Sequence, residues 1–178
     1  MTIQNVTTSP GSTGDSFEVD LTNTGAAATT VDSFMLGLEE GNSDIVFESV
    51  STATTGDDYI FNGNSLIGSP ISTTSPGQSV SAFDIWAGPG DGFNLGTGAT
   101  VGLGEVFFDV APGASYGPTV VSFVSDETSL SDIDGDAITI DAEDSGTIDV
   151  VPEPSTLALF GVAGVAFLLT GLRKTFSR

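Results

Sequence analysis

The sequence contains no cysteine and no histidine. Without cysteine there is no disulfide framework and no thiolate chemistry, and the redox compartment stays open. Without histidine there is neither imidazole catalysis nor a histidine-held metal. Basic residues are almost missing as well: Arg173, Lys174 and Arg178 are the only three, and all fall within the last six residues. Residues 1–150 therefore carry 23 of the 24 carboxylates, Glu153 being the other, against no lysine or arginine. Ser–His–Asp, Cys–His and Ser–Lys nucleophilic arrangements are impossible there, because each needs a base that the region lacks. Nucleic acid is excluded as a partner, since phosphate affinity comes from basic side chains displacing counterions. The acidic field instead attracts cations such as calcium or cationic polymers, suits high external salt, and solubilises an exported protein. The one catalytic class left is a carboxylate-pair glycan hydrolase. So short a chain leaves little room for the deep cleft such an enzyme uses. Aromatic platforms for sugars are scarce too, with one tryptophan, Trp86, and two tyrosines.

Long apolar runs are absent but for one, the uncharged 17 residues Thr156–Leu172 (TLALFGVAGVAFLLTGL). As a helix this stretch would rise about 26 Å at roughly 1.5 Å per residue, a little short of a bilayer core of about 30 Å. Snorkelling of Arg173 and Lys174 covers the difference. It is apolar on every face, unlike a core helix with its polar stripe. Basic flanks are kept on the cytoplasmic side, so the expected topology is a single pass in contact with membrane lipid, with residues 1–150 outside.

What fills residues 1–150 is Gly, Ser, Thr and Asp around short β-branched or aromatic runs, with no sustained helical period. This pattern predicts an all-β, antiparallel β-sandwich followed by one C-terminal transmembrane helix. Candidate strands are Ser16–Thr22, Thr30–Leu38, Asp44–Val50, Tyr59–Phe61, Ser65–Ile71, Ser79–Trp86, Thr100–Val110, Thr119–Ser125, Ala137–Asp141 and Thr147–Val150. Pro10-Gly11, Gly56-Asp57, Pro76-Gly77, Gly88-Pro89-Gly90 and Pro112-Gly113 punctuate them. In the first, Phe17, Val19 and Leu21 face one way and Glu18 and Asp20 the other, so one face should be buried and one wet. Phe34, Phe47, Phe83, Trp86, Phe107, Phe108 and Phe123 are expected between the sheets.

Ahead of the apolar stretch stands Val151-Pro152-Glu153-Pro154-Ser155, and behind it the basic stop Arg173, Lys174 and Arg178. Pro152 and Pro154 keep this strip extended and out of any helix or ladder, as a processing protease needs. The three parts in this order resemble the PEP-CTERM sorting signal of exopolysaccharide-producing Gram-negative bacteria and cyanobacteria. The resemblance implies that exosortase, an integral membrane enzyme, recognises the tail from Val151 to Arg178 and removes it near the motif. It further implies an exported surface or extracellular-matrix protein, associated with exopolysaccharide or biofilm. Such proteins carry an N-terminal leader, whereas Met1-Thr2-Ile3-Gln4-Asn5 has neither a basic start nor an apolar core, so a leader is expected upstream.

More weakly, Pro10-Gly11 and Gly14-Asp15 before SFEVDLTNTG, the segment GEVFFDV, and the ending DIDGDAITIDAEDSGTIDV resemble the cohesin-like jelly rolls related to carbohydrate-binding sandwiches. In cohesins such a sandwich docks a protein module, and similar sandwiches bind polysaccharide. The expected role is therefore non-catalytic, with a protein module or exopolysaccharide as partner.

Asp132, Asp134 and Asp136 alternate, and Glu143 is twelfth from Asp132, the spacing of an EF-hand loop. The sixth position of such a loop needs Gly, but residue 137 is Ala. A hairpin turning at Asp134-Gly135 fits the turn chemistry better, with a looser calcium site at Asp132, Asp134 and Asp136 as the alternative.

Overall fold

Thirteen strands occur among the described residues: β1 (Thr2–Ile3), β2 (Val6–Thr8), β3 (Asp15–Thr22), β4 (Thr29–Val31), β5 (Ser33–Glu40), β6 (Ile45–Ser51), β7 (Ser79–Ile85), β8 (Phe93–Leu95), β9 (Thr100–Val110), β10 (Gly117–Phe123), β11 (Ser129–Ser131), β12 (Ala137–Ile138) and β13 (Gly146–Val150). The computed structural model describes residues 1–68 and 77–152, and no helix occurs among them. The apolar stretch 156–172 lies outside the described residues, as do 69–71 of the expected strand Ser65–Ile71.

One sheet runs β1-β3-β9-β6, all antiparallel. The other runs β12-β11-β5-β10-β13-β2, with β7 along the far edge of β5. A small ribbon joins β4 to β8. The chain starts in the first sheet as β1 and changes to the second as β2, which lies parallel to β13. That parallel pair departs from the antiparallel expectation: β2 and β13 lie side by side and run the same way.

Between the sheets, inward residues of β3, β6 and β9 gather Phe17, Phe47 and Phe108, with Phe17 centred 6.0 Å from each of the others. Toward the opposite end, Phe34, Tyr59, Phe61, Trp86 and Phe93 form a chain of edge and tilted contacts at 5.8–6.4 Å. Each such ring buries area worth about 2–3 kcal/mol. Two expected core aromatics lie elsewhere. Phe83 is 38% exposed, because its neighbours Ala82 and Asp84 point inward and strand alternation turns it out. Phe107 is half-buried on the outer side of the first sheet, next to inward Phe108.

The run Thr30–Leu38 is two strands rather than one. At Asp32 the chain leaves the ribbon for the second sheet, its N–H bonded to Ser131 and its carbonyl to Trp86. Tyr59–Phe61 and Ser65 form only isolated bridges, to Gly102 and Trp86. The 59–60 stretch fills the slot beside β9 that β6 leaves empty after Ser51: Gly102 donates to Asp58 and Ile60 donates to Gly102.

Candidate functional site

The outer face of the first sheet was expected to be wet, and at Glu18 it is not. Glu18 is only 3% exposed and stands directly opposite Glu105 on β9. The 52–58 connection folds over it, and the N–H groups of Gly56 and Asp57 donate to the Glu18 carboxylate at 2.6 and 3.1 Å. Charge-assisted bonds of this kind offset the loss of water. Gly102 allows the close approach: a Cβ there would sit 2.6 Å from Glu18 and 2.7 Å from Thr54. Beside them, burial pushes the Asp20 carboxyl up to about 6, helped by the charges of Glu18 and Asp57. The connection is pinned further on by Asp84, which is fully buried and accepts the Tyr59 hydroxyl at 2.6 Å and the Ile67 and Ile85 N–H groups at 3.1 and 2.7 Å. Burial, then this bond, hold the Tyr59 phenol protonated far above its usual range.

The outer face of the second sheet is different. Met35 on β5 and Phe83 on β7 are register partners, 41% and 38% exposed, side by side among Ser33, Ser79, Ser81 and Ser129. Val120 on β10 adds a further apolar side chain at 54% exposure. Of this pair, Phe83 looks like core in the sequence, and Met35 carries no signal there.

Trp86 is half-buried between Phe61 and Phe93, and Gly88 lies so close that a Cβ there would be 2.2 Å from the indole. Roofed this way, Trp86 offers no stacking platform. A groove of about 250 Å³ opens at the end of the sandwich near the β3–β4 connection, with Leu21, Val31, Leu95 and Leu130 inside and Asp141 and Asp144 on its rim. Both carboxylates come from the single connection between β12 and β13, not from facing walls.

Asp132, Asp134 and Asp136 occupy a hairpin turn between β11 and β12. Asp132 Oδ1 accepts the N–H groups of Asp134 and Asp136 at 3.0 and 2.9 Å, and the Gly135 N–H donates to the Asp132 carbonyl. Gly135 takes φ +80°, as the last residue of a three-residue loop requires. The hairpin is therefore one residue longer than a two-residue turn at Asp134-Gly135. Among the described residues, no three acidic side chains form a group able to hold a metal ion.

At the other end, β13 stops at Val150, and the Val151 N–H donates to the Thr8 carbonyl at 2.9 Å. Val151 and Pro152 are half-buried; Glu153, Pro154, Ser155, Arg173, Lys174 and Arg178 lie outside the described residues. Residues 150–174 match the PEP-CTERM protein-sorting motif. The chain carries that sorting signal. The PEP-CTERM match thus begins on the last residue of the last strand, with no spacer between sandwich and signal.

Solved structures resemble the described sandwich in fold. A chain of the CaDoc0917–CaCohA2 complex, whose CaCohA2 comes from Clostridium acetobutylicum, superposes with a TM-score of 0.63 at 17% identity, over 84% of this chain and 97% of that one. The type I cohesin–dockerin complex Coh-OlpA–Doc918 from Clostridium thermocellum gives 0.58 at 15% identity, over 84% and 96%. The seventh ScaB type I cohesin of Pseudobacteroides cellulosolvens gives 0.58 at 14% identity, over 85% and 91%. The chain is a cohesin-like β-sandwich followed by a PEP-CTERM signal. No curated protein is detectably similar to it.

Proposed function

We propose that this chain is an exported, non-catalytic protein-docking module that an exosortase-type enzyme sorts and processes at its PEP-CTERM motif, with Thr156–Leu172 as the membrane span and Arg173, Lys174 and Arg178 as its cytoplasmic stop. The observation that carries the sorting half is the PEP-CTERM match starting at Val150, where β13 ends. The signal is then read on a finished domain. The docking half is supported by likeness to folds solved in cohesin–dockerin complexes, together with the uncovered Met35–Phe83 pair. Apolar anchors inside a polar rim are what protein interfaces use. The absence of histidine and cysteine from the chain supports a non-catalytic role.

The test is the double variant Pro152→Ala/Pro154→Ala in a host that has exosortase. Maturation should stop, leaving the unprocessed form, while the unfolding midpoint stays put, because both prolines follow the end of β13 at Val150. Processing at the wild-type rate would contradict the proposal.

A further inference from the structure

The two ends of the sandwich are unlike, and only one lies next to the sorting signal. At the end where β13 finishes, the connections 9–14, 41–44 and 111–116 carry one carboxylate, Asp44, which accepts the Ser115 N–H at 3.4 Å, while Asp15, Asp109 and Asp149 stand on the adjoining strand ends and Glu153 follows in the signal. This end is also tied together by backbone hydrogen bonds. Gly11 donates to the carbonyls of Val110 and Ala111, and Gly14 donates to Asp109. At the far end, connections 132–136 and 139–145 alone carry six carboxylates: Asp132, Asp134, Asp136, Asp141, Glu143 and Asp144. β9 runs from one end to the other, about 35 Å at roughly 3.3 Å per residue.

The end next to the signal also holds Tyr116, which is 64% exposed. Gly117 pairs with Val150, so one step along the ladder sets Tyr116 level with Val151, the residue that follows β13. Exposed tyrosine beside a span is the residue that settles at the headgroup level of a bilayer. Ile133, exposed at the tip of the far-end hairpin, sits between Asp132 and Asp134, and burying it in lipid would drag charges along.

We infer that the anchored protein stands on the lipid surface on the end formed by connections 9–14, 41–44 and 111–116, with Tyr116 at the headgroups and the acidic hairpin pointing away. This orientation rests on the anchoring proposed above. Only the five residues Val151–Ser155 separate β13 from the apolar stretch, a reach of at most about 18 Å at roughly 3.3–3.6 Å per residue, which keeps this end of the domain near the bilayer, and repulsion from anionic lipid favours having the six loop carboxylates farthest from it. The strands then run along the membrane normal. The Met35–Phe83 face becomes a side wall, open to a partner arriving in the plane above the lipid.

The chain has no cysteine, so single labels are clean. Full-length Ser115→Cys and Asp134→Cys, each carrying an environment-sensitive fluorophore, are reconstituted into phosphatidylcholine–phosphatidylglycerol vesicles containing nitroxide-headgroup lipid, and flotation is measured in parallel. Flotation with quenching several-fold stronger at 115 than at 134 is the expected result. Flotation with equal or reversed quenching overturns the orientation and leaves the anchor intact. Failure to float overturns the anchor and the orientation with it. In Tyr116→Ser the excess quenching at 115 should shrink, and an unchanged value would remove the role given to that tyrosine.

Discussion

The two outer faces of the sandwich start from similar strands and end in opposite states. On the first sheet, Glu18 and Glu105 face outward and the chain covers them itself, spending two backbone N–H groups on Glu18. On the second, Met35 and Phe83 face outward beside small hydroxyls, and over them the described chain lays nothing comparable. A buried charge without donors costs several kcal/mol, whereas exposed apolar side chains are tolerated singly. The chain therefore closes over the face it must satisfy, and the face left open is the one free to meet another molecule.

The largest effect expected is on the pin that holds the covering connection. Asp84→Ala leaves the Tyr59 hydroxyl and two N–H groups without their acceptor. It should cost roughly 3 kcal/mol or more, read as a fall in the urea midpoint of the soluble sandwich. Unchanged stability would mean that the first face is not held shut from there. Next comes Gly102→Ala, which pushes a Cβ into Glu18 and Thr54. About 1–3 kcal/mol should be lost, with faster proteolysis within 52–58.

The closed face should also make stability depend on pH in an unusual direction. The Asp20 carboxyl is raised from 3.8 to about 6 in the folded protein. Its contribution is complete below about pH 4 and disappears as pH rises through about 6, because the folded state holds the proton longer than the unfolded chain does. Asp20→Asn should flatten this slope and raise stability at pH 7 by about 1 kcal/mol, the shift being trimmed by partial exposure. A slope identical to wild type between pH 4 and 7 would show that Asp20 is not the group responsible.

On the open face, Met35→Thr/Phe83→Thr, which adds no charge to the paired positions, should cost no more than about 1–2 kcal/mol while abolishing partner binding. Equal binding by this variant would move the docking surface elsewhere. The smallest effect concerns the hairpin. Asp132 Oδ1 is already taken up by two N–H groups. Millimolar calcium should then raise the melting temperature no more than sodium of equal ionic strength, and an excess abolished by Asp134→Asn would restore the calcium site.

Sequence alone gave the all-β class, the inward line Phe17–Val19–Leu21, the hairpin at Gly135 and the sorting motif, because each is written in adjacent residues. It misplaced what depends on distant ones. Glu18 looks wet until residues 56 and 57 bring their N–H groups to it. Phe83 looks buried until the inward direction of Asp84 is known, and that direction follows from Tyr59. The strands β1, β2, β11 and β12 are two or three residues long, too short for alternation to show, and exist because neighbouring strands offer them unpaired edges.

The central claim is that a cohesin-like sandwich is delivered by its PEP-CTERM signal, and the intact mass of the mature protein from an exosortase-bearing host tests it most directly. The account predicts a chain lacking the segment from Thr156 onward, with the sandwich complete through Val150. A mature surface form that still ends in Arg178 would contradict it.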